Sequence, residues 1–116
     1  MVVTRETMNS VPQHLLIRDA SEIDLFIKSR RQSVVLVYAS WCPFCLQFLP
    51  VFQKYAAGKD HFLLAQDDQE LLADRYGIEI IPTVLCFANG TVVARLDGVA
   101  GIGLNERQLV AFLKGL

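Results

Sequence analysis

The sequence has little that would carry it into a membrane or onto a nucleic acid. Its longest uninterrupted apolar stretch, residues 34–39, falls far short of the roughly 20 residues a spanning helix needs. Charge of one sign is equally scarce. Eleven Lys and Arg against twelve Asp and Glu leave a net charge of −1, which offers no footprint for a polyanion or an anionic lipid surface. Cysteines number three, too few for a disulfide framework, and no repeat or low-complexity linker divides the 116 residues, the length of one domain. The first residues also lack the apolar stretch of about 7 to 15 residues that a secretory signal needs; Arg5, Glu6, Asn9 and Pro12 interrupt it. The expectation is a cytoplasmic chain, with a loose leader over 1–12 and a single domain over 13–116.

Core-forming side chains, by contrast, are plentiful. Leu, Ile, Val and Phe fill 42 of 116 positions, so a chain able to hide about 60 to 70% of its unfolded surface needs no staple. His14 to Arg18 reads as a strand, followed by a helix that Ser21 and Asp24 would open as a capping box, with Ile23, Phe26 and Ile27 on its apolar face. Val34 to Tyr38 is apolar at every position, the pattern of a central strand covered on both faces. Pro43 opens a helix that Gly58 ends and Pro50 should kink. A strand over His61 to Gln66 and a helix over Gln69 to Tyr76, stopped by Gly77, come next. Thr83 to Phe87 and Thr91 to Leu96 flank Asn89-Gly90, a hairpin signal. The last helix starts at Asn105, with Gln108 as capping partner and Leu104 placed to staple against Leu109. The order βαβαβαββα predicts an α/β domain whose sheet carries helices on both faces.

Cys42-Pro43-Phe44-Cys45 lies where the buried strand meets a helix. A thiol becomes a nucleophile on ionising, and free amides at a helix N-terminus favour the thiolate. With Cys42 as cap residue, the amides that can reach its sulfur are those of Phe44 and Cys45. Pro43 takes the first helical position, where an N–H is not required. Cys45, one turn inside the helix, is placed to resolve a mixed disulfide formed at Cys42, and that cycle needs no cofactor. Two other readings stand beside this one. A CxxC is also half of a structural zinc site, although only Cys86, His14 and His61 are left to complete it. The pair is alternatively a remnant on a protein-binding module.

Taken together, several segments resemble the thioredoxin family over about residues 14–116. These are Tyr38-Ala39-Ser40-Trp41-Cys42 with Cys45, Pro50 five residues on, Tyr76-Gly77-Ile78, Ile81-Pro82-Thr83, Asn89-Gly90 and Gly98. The resemblance implies a thioredoxin fold, a central mixed sheet flanked by helices. It also implies a protein disulfide oxidoreductase in which Cys42 attacks and Cys45 resolves. Pro82 would be cis and packed opposite the cysteines, against the plain alternative of a trans proline opening a strand. Ile81 would offer its backbone to an extended client strand, and Trp41, Pro43 and Phe44 would line the substrate groove; simple packing is the other reading of Trp41. The implied partners are disulfide-bearing client proteins and a flavin-dependent disulfide reductase as electron donor, with the chain a monomer.

The chain departs from the family pattern in two places. Pro43-Phe44 replaces Gly-Pro and is closer to the Pro-Tyr of glutaredoxins, and the family's buried aspartate falls on Leu36. A Phe44 amide bonded to Cys42 would stabilise the thiolate and place the potential above thioredoxin's, in a window of about −270 to −200 mV. A glutaredoxin-like, glutathione-dependent reductase is a further alternative. Against it, Ile80-Ile81-Pro82 replaces the Thr-Val-Pro of that family, Gly98-Val99-Ala100-Gly101 replaces its Gly-Gly-x-x-Asp, and the strand and helix over 14–31 are extra. Elsewhere, Cys86 reads as a small buried hydrophobe, with a regulatory or dimer-forming thiol as the alternative. Asp67, Asp68 and Glu70 read as a solvated helix cap, or as a stand-in for the missing acid. His14 and His61, at strand starts with no partner nearby in the sequence, read as surface or satisfied residues.

Overall fold

The computed structural model describes residues 13–116; the leader expected over 1–12 lies outside the described residues. Strand β1 (Gln13–Leu16) leads through a 3₁₀ turn (Ala20–Ile23) into helix α1 (Asp24–Lys28), then β2 (Gln32–Tyr38) and α2 (Pro43–Ala56). There follow β3 (Phe62–Gln66), α3 (Leu71–Tyr76), β4 (Thr83–Ala88), β5 (Thr91–Leu96) and α4 (Glu106–Lys114). This is the order the hydrophobic periodicity predicts.

Local chemistry corrects several boundaries. The first helical segment is capped by Asp19, not Ser21: the extended Asp19 accepts from the Ser21 N–H, and Glu22 reaches back to complete the capping box. Asp24 instead begins the α-helical part after the 3₁₀ turn. Strand β1 ends at Leu16, and α3 begins at Leu71 rather than Gln69, because Glu70 adopts φ 60°. Pro50 lies inside α2, which continues through it to Ala56, and Gly58 just beyond takes the left-handed φ of 76° that ends such a helix. At the hairpin, Asn89 (φ 51°) and Gly90 (φ 87°) both take positive φ, the requirement of a two-residue type I′ turn. The Asn105–Gln108 capping box of α4 forms as expected.

The five strands lie in the order β1-β3-β2-β4-β5, with β1, β3 and β2 parallel and β4 and β5 antiparallel. The apolar run therefore becomes the middle strand of a mixed sheet. Its alternation divides the core in two. Val34, Leu36 and Tyr38 pack with Phe48 and Phe52 of α2 and Leu109 of α4, while Leu104 rests on the same cluster. Val35 and Val37 pack with Ile27 of α1 and Leu72 of α3 on the opposite face. Each such side chain, removed from water, contributes about 1.5–3 kcal/mol, and together they hold the C-terminal end of β2 rigid where the next residues carry the chemistry. Among the described residues, no helix is long and apolar enough to cross a membrane.

Candidate active site

The chain leaves β2 at Tyr38 and reaches α2 in four residues, closing a turn with Cys42 N–H donating to the Ala39 carbonyl at 3.3 Å. Cys42 is the N-cap of α2 in extended conformation, and its carbonyl accepts the Leu46 N–H, the first bond of the helix. Its Sγ accepts the Cys45 N–H at 3.3 Å. This corrects the expectation of two amides. The cap takes a single bond, from Cys45, and Phe44 contributes none, so the argument that a Phe44 amide raises the potential has no bond to rest on.

Both cysteines are free thiols. Cys42 is 7% exposed and Cys45 fully buried, the asymmetry expected of an outer and an inner thiol. Burial pushes the Cys45 thiol up to about 12, the hydrogen bond with Cys42 adds to the effect, and the Ala39 backbone opposes it. Burial, the Cys42 thiol and the Ala39 backbone are thus the leading influences on it. Leu36, where the family's acid would stand, is fully buried in the same cluster as both cysteines.

The opposite wall is the loop before β4. The Ile81–Pro82 bond is cis, and the Cys42 thiol faces the Ile81 carbonyl at 3.9 Å. Thr83 ties this loop down: its Oγ1 donates to the Ile80 carbonyl at 2.6 Å and accepts the Gly98 N–H at 3.3 Å. Gly98 presses so closely that a Cβ there would lie 2.5 Å from the Pro82 oxygen. Backbone offers little room to move, so Gly98→Ala should lose about 1–3 kcal/mol of stability, read as a lower urea midpoint at unchanged slope. A midpoint equal to that of the parent would contradict this packing.

Thus Cys42, Cys45, Ile81 and Pro82 converge, while Trp41, Pro43 and Phe44 stand exposed around them. Sequence reasoning did not find the turn between β5 and α4. Val99 and Gly103 exchange backbone bonds at 3.1 and 2.8 Å, which leaves Ile102 67% exposed. Gly103 backs onto Phe44, whose Cβ a side chain there would meet at 3.0 Å. The glycines at 98, 101 and 103 were its only signal. The acidic cluster also differs from the solvated cap expected of Asp67, Asp68 and Glu70. Asp67 is buried and caps α3 by accepting the Leu72 and Ala73 N–H groups at 3.0 and 2.9 Å, whereas Asp68 turns toward Ser40. Neither stands in for the acid absent at Leu36.

The remaining singled-out residues lie apart from this arrangement. Cys86 is buried in β4, and burial pushes its thiol up. His14 is satisfied by the Tyr38 hydroxyl at 2.7 Å. His61 lies edge-on to Phe62 at the start of β3, lining a cavity of about 220 Å³ with Gln32 and Val34, at the far end of β2 from Cys42. A second cavity of about 370 Å³, lined by Gly77, Glu79, Ile80, Arg95, Asp97 and Gly98, adjoins the cis-proline loop. Among the described residues, no three His, Cys, Asp or Glu side chains gather as metal ligands.

Comparison with known proteins adds to the geometry. The family model described as Thioredoxin matches residues 9–114. The chloroplastic M-type thioredoxin of Pisum sativum is 37% identical over 101 residues, covering 84% of this chain and 55% of that protein. The chain thus spans about half the length of that relative. Thioredoxin-1 of Saccharomyces cerevisiae is 32% identical over 84 residues, 70% of this chain and 82% of that one. Among solved structures, the thioredoxin of Malassezia sympodialis superposes with a TM-score of 0.72 at 21% identity, covering 99% of this chain and 95% of that one, a likeness of fold.

Proposed function

The chain belongs to the thioredoxin family, and from that premise we propose that it is a thiol-disulfide oxidoreductase acting on protein disulfides through Cys42 and Cys45. The observation that carries the reading is the cap: a nearly buried sulfur receiving the Cys45 amide on one side and facing the Ile81 carbonyl on the other.

In this reading the Cys42 thiolate attacks one sulfur of a client disulfide. That S–S bond breaks, a Cys42–client bond forms, and the second client sulfur leaves as thiolate. Cys45 then gives up its proton and attacks Cys42 Sγ. The first client sulfur leaves as the second thiolate, and a Cys42–Cys45 disulfide remains. Two electrons have passed to the client. An external reductase must return them, and a flavin-dependent disulfide reductase is the donor we assign. Ile81 supplies backbone pairing to an extended client segment, with Pro82, Trp41, Pro43 and Phe44 as the walls of its groove. We propose the cytoplasm as compartment, on the charged and polar residues Arg5, Glu6 and Asn9 that break the apolar character of the N-terminal segment; the pea relative is chloroplastic.

Insulin reduction tests this. With dithiothreitol as electron source, the chain should bring on precipitation of the insulin B chain well before dithiothreitol alone does, and NADPH with a flavin reductase should replace dithiothreitol. A chain no faster than dithiothreitol alone would leave it as a binding module on the same fold.

A further inference from the structure

We propose that Asp68 is a positioning residue of the site, a clamp on the Ser40–Trp41 segment that holds the indole as a fixed wall for protein clients. The inference rests on the client-reducing function proposed above.

Asp68 sits in the loop between β3 and α3, across from the link between β2 and α2. Its Oδ1 accepts the Ser40 N–H at 2.8 Å and its Oδ2 accepts the Ser40 hydroxyl at 2.9 Å. The Gln66 side-chain amide, at the end of β3, also donates to Oδ2 at 2.9 Å. The backbone carbonyl of the same residue accepts Trp41 Nε1 at 3.0 Å. One residue thus makes four contacts, three of them on the two positions immediately before Cys42. The Ser40 amide above all, with the Gln66 and Ser40 side chains, holds the carboxyl below its usual range although burial opposes them. It therefore stays charged at neutral pH, and a bond to a charged acceptor is worth about twice a neutral one.

The neighbouring acid shows that this is a division of labour. Asp67 spends both oxygens on helix α3, so that helix needs nothing from Asp68. Trp41, in turn, is 56% exposed, and its indole N–H finds its acceptor on Asp68. An exposed side chain on an irregular link would otherwise sample several rotamers, and a client docking on it would bear the cost of ordering it. The clamp removes that cost in advance. Its effect falls on substrates large enough to touch the indole, whereas a small disulfide needs Cys42 alone.

Trp41 is the single tryptophan of the chain, so its fluorescence anisotropy reports this ring without interference. Indole motion should increase in the order Ser40→Ala, Asp68→Asn, Asp68→Ala, as one bond, then the charge with one of the two accepting oxygens, then all side-chain bonds are lost. For Asp68→Ala the KM for insulin should rise roughly tenfold, equivalent to about 1.4 kcal/mol, with kcat and the rate on a small aromatic disulfide held within about twofold. Unchanged anisotropy and KM would overturn the proposal, and so would an equal loss on both substrates, the mark of a merely structural role. Asp68→Asn and Ser40→Ala decide the matter should Asp68→Ala fail to fold. A parent chain inactive on both disulfides would overturn the proposed function instead, and the anisotropy series would still judge the clamp.

Discussion

Cys42→Ser should stop disulfide exchange, lowering insulin reduction by about 10³-fold or more, while Cys45→Ser should stop turnover but not attack. The two thiols are close in space, yet their environments differ in ways that predict opposite products. Cys42 opens toward the groove and holds the Cys45 amide at its sulfur; without it there is no sulfur that a client disulfide can reach. Cys45 is wholly buried, so removing it leaves first attack intact and leaves the mixed disulfide without its intramolecular exit. Incubated with an oxidised client, Cys45→Ser should accumulate a covalent complex, seen by mass spectrometry as the sum of the two masses and reversed by dithiothreitol. Cys42→Ser should give none. A complex formed equally by both variants would remove the assignment of attacking and resolving thiols.

The resolving step should depend steeply on pH. Burial is the largest influence on Cys45 and pushes its thiol up to about 12, so at neutral pH the resolving sulfur is almost wholly protonated. The contact with Cys42 that adds to this is lost once Cys42 is bound to a client, but burial remains. Below its pKa, the thiolate fraction rises tenfold per pH unit. The rate of mixed-disulfide decay should therefore climb about tenfold per unit between roughly pH 6 and pH 9. The sign follows from the charge: what attacks is the deprotonated form, and alkali supplies it. Rapid-quench trapping of the mixed disulfide in single-turnover mixtures measures this directly. A decay rate flat across that range would mean that a base near Cys45 takes the proton, contrary to an environment in which a buried Leu36 occupies the place of the acid and burial is the leading influence on the thiol.

Much of this architecture was legible because it rests on near-neighbour chemistry. The run Val34 to Tyr38 is apolar at every position and emerges within the middle strand with a core on each side. Asn89-Gly90 specified its turn, because only residues tolerant of positive φ can fill both central positions. Asn105 and Gln108 marked the start of α4 by the same local logic. The misreadings arose where two local solutions compete. Ser21 and Asp19 can both cap a helix, and a carboxylate at the extended residue prevailed. Both Phe44 and Cys45 present amides within the reach of a cap, and the sulfur took the second alone.

By itself, the sequence determined the elements, their order and the place of the reactive pair at a strand-to-helix junction, since periodicity, capping and turn chemistry act over a few residues. The tertiary structure alone decided what surrounds that pair. Residues 16 or more positions apart came to share the site: Ile81 faces Cys42, Gly98 braces Pro82, and Asp68 holds Ser40 and Trp41. Such contacts depend on how strands are ordered in the sheet and on which loops meet at its edge, and no short-range pattern encodes that. The same distinction separates Asp67 from Asp68. They are identical and adjacent in the chain, and the fold gives one to a helix and the other to the site.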